Sequence, residues 1–176
     1  MKKASRFMPE YRPKKASKLA LIVLLALAGG LVIYEPVMLA VVIAITLLVI
    51  RWSKFEQQKM DEYFHKLCEE RKGLSICEFA REFDARAVDT WIIRATYEQL
   101  QAALPTKHVV PIKASDNLFE TLKLDEEDLD LDLAEMIAQR TGRSLNDCEG
   151  NPYYGKVTTA GKLVLFFNHQ AGINAT

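Results

Sequence analysis

Few residues of this chain are spaced to do chemistry. Asp128, Asp130 and Asp132 give the D-x-D-x-D opening of a calcium loop. The sixth position of such a loop would be Leu133, where the sharp turn needs glycine, and the twelfth Gln139, where a bidentate glutamate is needed. Gly150, Gly155 and Lys156 have the spacing of a phosphate-binding loop, but Val157 follows where a magnesium-binding Ser or Thr belongs. Asn151-Pro152 inside that stretch reads as a turn. His65 and Cys68 lie one helical turn apart with Cys77 nearby, yet no C-x-x-C or H-x-x-x-H spacing completes a zinc set. The three histidines, His65, His108 and His169, are scattered, and no Ser or Cys pairs with a His and an acid. The chain is therefore expected to be no enzyme and to hold no metal and no cofactor. The remaining chemical feature is a dense acidic run, Glu126, Glu127, Asp128, Asp130, Asp132 and Glu135.

That run needs an element to carry it. Residues 128–140 read as a helix with Leu129, Leu133, Met136 and Ile137 on one face. Acids in its first turn are favoured by the helix dipole, so the same charges suit a solvated helix start with no partner. Upstream, Ser75 followed by Glu78 forms a capping box before a short helix. A helix over 86–104 buries Ile93, Tyr97, Leu100 and Leu104, and Pro105 stops it. Thr158 or Thr159 caps a last helix that buries Leu163, Phe166 and Phe167. Residues 53–72 contain no Pro or Gly and read as a helical stalk that ends at Gly73.

Charge divides the chain. Residues 1–18 carry seven Lys/Arg against one acid, and residues 19–50 carry only Glu35. Residues 51–110 are balanced at ten of each sign, and residues 111–176 carry eleven acids against six bases. The basic arm shows no base-reading motif, so no nucleic acid is expected. A single helix over 19–50 would rise ~48 Å, against a hydrocarbon core ~30 Å thick. Glu35-Pro36 breaks the run, which predicts two apolar helices, 17–33 and 37–52, forming a transmembrane hairpin. Gly29-Gly30 suits close helix approach. A second apolar block following the first argues against a cleaved signal peptide. Lys18, Tyr34, Arg51 and Trp52 are the expected membrane-interface residues. The excess of Lys and Arg at both outer ends predicts two spans with both termini cytoplasmic, in an inner membrane of bacterial type. Three cysteines at irregular spacing are no disulfide framework and agree with a reducing compartment.

The C-terminal half resembles the acyl carrier protein family. Asp116, Leu118, Leu122 and Leu124 fit the apolar anchors of that family's long loop, Leu129-Asp130 fits the Leu-Asp that follows its serine, and Val157-Thr158-Thr159 fits the start of its last helix. The resemblance covers about residues 88–170 and implies a small four-helix bundle. It departs at the reactive position. No serine lies between Ser115 and Ser144, the expected site reads Asp125-Glu126-Glu127-Asp128, one residue is inserted, and Lys123 stands where the family prefers glycine. The phosphopantetheine group is therefore expected to be absent. Carrier proteins present an acidic helix to basic patches, so the resemblance implies partner docking through Glu126, Glu127, Asp128, Asp130, Asp132 and Glu135.

The expected architecture is all-α: a basic arm (1–18), a membrane hairpin (19–52), a stalk (53–85), a carrier-like domain (86–170) and a tail (171–176). The expected function is a membrane-tethered interaction module whose partners are the lipid bilayer and a basic-surfaced protein. Two alternatives stand beside it. One is a structural subunit of a membrane complex assembled through the hairpin. The other is a true acyl carrier using Ser115 or Ser144.

Overall fold

A computed structural model describes residues 4–11, 36–125 and 133–173. Among the described residues the fold is all-α. Its α-helices are α1 (Pro36–Glu70), α2 (Ile76–Arg81), α3 (Thr90–Ala103), α4 (Ala134–Thr141) and α5 (Ala160–His169), with short 3-10 turns at Ser5–Phe7 and Cys148–Gly150. Two compact units divide the chain: Arg12–Met60, and Met1–Tyr11 together with Asp61–Thr176.

Within Arg12–Met60 the described part is the first stretch of α1. Its apolar side chains stand in the open, among them Val41, Val42, Ile43, Leu47, Leu48 and Trp52. Thr46 donates back to the Val42 carbonyl at 2.7 Å, and the Lys59 ammonium lies 4.4 Å from the Phe55 ring centre. The expectation of two membrane spans is overturned here. Among the described residues no helix is long and apolar enough to cross a membrane. The uncharged opening of α1 ends at Ile50, and Arg51, Lys54, Glu56 and Lys59 continue the same helix. The 15 residues from Pro36 to Ile50 rise only ~22 Å, short of a ~30 Å core. The two-span localisation goes with it. Of the expected interface residues, Arg51 and Trp52 are exposed on α1, while Lys18, Tyr34 and the whole helix expected over 17–33 lie outside the described residues.

The other unit is organised around α3, against which α2, α4, α5 and the N-terminal 3-10 turn all pack. Local chemistry fixes where its helices begin. Ser75 accepts from the Cys77 N–H at 3.2 Å while Glu78 accepts from the Ser75 N–H at 3.0 Å, the reciprocal box expected there. Asp89 caps α3 by accepting from Trp91 N–H at 2.9 Å. Thr159 caps α5, accepting from Lys162 N–H at 3.3 Å. Ile93, Tyr97, Leu100 and Leu104 are buried as the spacing required, and so are Leu163 and Phe167; Phe166 is only half-buried. Of the face expected on the acidic helix, Leu133 and Ile137 are buried and Met136 is half-buried, while Leu129 falls outside the described residues. Gly142 ends α4 in the left-handed conformation, φ 66°.

The end of α1 belongs to this unit. Phe64 is fully buried and Tyr63 donates to the Thr121 carbonyl at 3.0 Å. The N-terminal segment belongs to it as well: Met8 is buried, and Arg140 donates through Nε to the Pro9 carbonyl at 3.1 Å. Arg140 also pairs with Glu98 on α3, which Arg94 holds at 2.6 Å. One arginine thus ties α4, α3 and the N-terminal segment together.

Gly161 marks the tightest approach. Its N–H donates to the Ala114 carbonyl at 2.8 Å, and a Cβ there would meet that oxygen at 2.9 Å and the Ala114 Cβ at 3.1 Å. Backbone cannot yield as a flexible side chain would. Gly161→Ala is therefore expected to destabilise the domain by about 1–3 kcal/mol, despite alanine's better helix propensity. A urea midpoint equal to or above wild type would refute that clash.

Candidate functional site

The long connection from α3 to α4 is the frame of the site. It runs over the surface at Val109, then folds into the core at Val110, Ile112, Leu118, Leu122 and Leu124, all buried. Asp116 is its polar centre and is itself buried. Its carboxylate accepts from both terminal nitrogens of Arg71, at 2.6 and 2.7 Å, and from the Lys113 N–H at 2.8 Å. Arg71 also donates to the Pro111 carbonyl at 2.8 Å. The Asp116 carbonyl accepts from Ala160 N–H at 3.0 Å, at the start of α5. Burial without such partners would be costly; a bidentate pair with an extra N–H satisfies the charge. Asn117 closes the next turn through its side-chain oxygen, which accepts from Phe119 and Glu120 N–H groups at 2.9 and 3.0 Å. Leu118 N–H donates to the Thr158 carbonyl, and Leu124 N–H returns to the Leu118 carbonyl, both at 3.0 Å. The chain then turns through Lys123 at φ 56°, a left-handed conformation that favours glycine.

This frame delivers the chain to the acidic run. Asp125 is exposed at its end and Glu135 is exposed on α4. Glu126, Glu127, Asp128, Asp130 and Asp132 lie outside the described residues, as does the D-x-D-x-D motif. Beside α4 an apolar cleft of about 620 Å³ opens between Phe119, Ala134, Leu145, Tyr154, Val157 and the α5 residues Leu163, Phe166 and Phe167. On the other side of Leu145 a more polar cavity of about 990 Å³ lies between the ends of α4 and α5. Its buried amides are already engaged: Asn151 donates to the Phe166 carbonyl and the Gln170 side-chain oxygen, both at 2.9 Å, and Gln170 donates to the Ser144 carbonyl at 3.1 Å.

The remaining sequence candidates are placed as follows. Gly150 to Lys156 forms consecutive turns in which Tyr154 and Lys156 N–H groups, both at 3.0 Å, serve the carbonyls of Asn151 and Tyr153. Those donors are spent inside the loop, as a turn requires. Ser115 is exposed in the turn beside Asp116, and Ser144 follows the far end of α4, its hydroxyl accepting from Asn146 N–H at 3.0 Å. Neither serine stands at the start of α4.

The His65 ring lies 5.5 Å from that of His108, and the Cys68 thiol is 3.6 Å from the Val109 carbonyl, an adjacency between α1 and the loop that sequence spacing did not show. Burial, helped by neighbouring Glu69, pushes the Cys68 thiol up; Arg71 opposes it weakly. That makes Cys68 a poorer nucleophile than an open cysteine. Among the described residues no group of three or more His, Cys, Asp or Glu is placed to hold a metal. Burial likewise raises the Tyr97 phenol, against hydrogen bonds from the Ile112 backbone and Gln101 that lower it. Glu78 is held below the usual carboxylate range, first by the Ser75 hydroxyl.

The Arg71–Asp116 and Arg140–Glu98 pairs were not legible in the sequence, since each joins residues more than 40 positions apart. No family model, curated protein or solved structure matches this chain.

Proposed function

We propose that the helical domain is a protein-interaction module on a carrier-like frame without a prosthetic group, docking a basic partner through the acidic stretch of sequence from Glu126 to Glu135. The observation that carries this reading is a loop frame anchored in the core as far as Leu124, with no serine in the sequence after it until Ser144. Asp116, Leu118, Leu122 and Leu124, the positions that fit the carrier family's loop, are all buried. Lys123, standing where that family prefers glycine, takes a positive φ. Beyond it comes Asp125 and a run of carboxylates. A carboxylate cannot form the phosphodiester that a serine forms with phosphopantetheine. The reading assigns no catalytic step and no cofactor. Charges of one sign concentrated in a short stretch of chain steer an oppositely charged surface and choose among partners.

Two measurements test it. Intact-mass analysis of the full-length protein is expected to give the unmodified chain, and a phosphopantetheine adduct would overturn the proposal. Reversing Glu127, Asp128 and Asp130 to lysine is expected to weaken a partner retained by the wild type by roughly tenfold or more at low salt. Unchanged retention would refute docking through this stretch.

A second reading is favoured by the exposed apolar side chains of α1 from Val41 to Phe55. Patches of that extent mark interaction surfaces, so α1 would assemble the chain into a larger complex. Loss of the complex on replacing Leu47 and Leu48 by glutamate, with the acidic stretch intact, would select this reading over the first.

A further inference from the structure

Residues 4–11 touch the helical domain lightly. Met8 is buried, while Ala4, Arg6, Phe7, Pro9 and Glu10 are exposed. The turn Ser5–Phe7 packs on α3, and Arg140 of α4 donates through Nε to the Pro9 carbonyl at 3.1 Å. Proline restricts the residue before it to extended backbone, and Met8 takes φ −61° and ψ 139°. A segment so restricted is close to its bound shape before it docks, so little entropy is lost on seating it. We infer that this seat on α3 and α4 is a peptide-binding site, occupied by the chain's own N-terminal segment and closed by it to others. The peptides it takes in place of that segment are extended, with a flexible apolar side chain followed by proline.

The seat is built without its occupant. Arg140 is paired through a terminal nitrogen with Glu98, and Arg94 holds the same carboxylate at 2.6 Å. Departure of the segment therefore takes one acceptor from the guanidinium and leaves its ion pair in place. The chain of the helical unit is continuous from Asp61 to Thr176, so no connection between its helices runs through residues 4–11. The hold on the segment rests on Met8 and the Arg140 hydrogen bond, whereas α3 buries Ile92, Ile93, Tyr97 and Leu100 among others. Segments so lightly held open locally, well below the free energy of global unfolding. The covalent tether lets a weakly bound segment keep the seat. A competing peptide then meets only the open fraction of chains, and its apparent affinity falls by that fraction. The acidic stretch takes no part in this.

The test uses the full-length chain and a synthetic peptide of residues 4–11. Met8→Asp in the chain empties the seat, because a carboxylate is poorly accommodated where the methionine is buried. Binding is read by saturation-transfer difference NMR on the Tyr11 ring protons of the peptide, with the wild-type chain's own segment as the competitor. The emptied chain is expected to give a saturable signal with Kd of about 1 mM or tighter. The wild type is expected to bind the peptide at least about tenfold more weakly. A peptide carrying Met8→Asp is expected to give no signal with either chain. Hydrogen exchange of the wild type is the second measurement. The Phe7 and Met8 amides donate to the Ala4 and Ser5 carbonyls at 2.9 and 3.0 Å, and they are expected to exchange at least about a hundredfold faster than the Leu100 amide of α3. No signal from the emptied chain, equal affinity of the two chains, or Phe7 and Met8 amides as protected as Leu100 overturns the inference. Loss of helical circular dichroism in the Met8→Asp chain overturns it too, because a displaceable segment leaves a folded domain behind.

Discussion

Arg71→Met is expected to cost the helical domain about 3–5 kcal/mol, the largest single effect of any substitution away from the apolar core. The Arg71 side chain is 11% exposed and the Asp116 side chain 5%, so removing one partner strands a carboxylate away from water. The loss also reaches beyond the pair. Arg71 holds the Pro111 carbonyl, and Asp116 holds Lys113 and the first turn of α5. A domain of this size has only about 5–15 kcal/mol of stability in total, so the variant should unfold at a much lower urea concentration. The double variant Arg71→Met/Asp116→Leu should recover much of the loss, since an apolar pair leaves no buried charge. Recovery measures how much of the single-variant cost was the stranded carboxylate. If Arg71→Met lowers stability by less than 1 kcal/mol, the pair is solvated in solution and the loop is not fastened there.

The second large effect is expected in the loop itself. Leu122→Ala should cost about 2–5 kcal/mol, as much as a helix core position, although Leu122 belongs to no helix. It is fully buried, its N–H donates to the Asn117 carbonyl at 3.0 Å, and its neighbours Leu118 and Leu124 are buried with it. Val109 in the same connection is 79% exposed, and Val109→Ala should stay within about 0.5 kcal/mol of wild type. Chemical denaturation of the pair compares two aliphatic truncations in one loop. Equal, small effects would mean that the loop is an ordinary surface connection and frames nothing. A large effect at Leu122 alone would mean that the acidic stretch is launched from a rigid edge. Rigidity there would favour the proposed docking, because a preorganised surface loses less entropy on binding.

What the sequence determined by itself is local. Ser75, Asp89 and Thr159 cap helices because a side-chain oxygen can reach an N–H two or three residues on, a relation contained within a few positions. The buried faces of α3 and α5 were legible for the same reason, as helical periodicity places them. The all-α class and the turn at Asn151-Pro152 follow from such short-range rules. The loop anchors were legible only as a pattern; that Lys123 adopts a left-handed turn is seen in the backbone alone. Tertiary structure decided the rest. It put Arg71 against Asp116, Arg140 against Glu98 and Pro9, and Gly161 against Ala114, pairs whose sequence separation carries no periodic signal. The expected membrane hairpin shows the same limit from the other side. The stalk expected over 53–72 was legible, and α1 carries the chain without a break from its apolar opening to Glu70; what overturned the spans is that no described helix is long and apolar enough to cross a membrane. Caps and periodicity act over a few positions, whereas contact partners are settled only when the whole chain has packed.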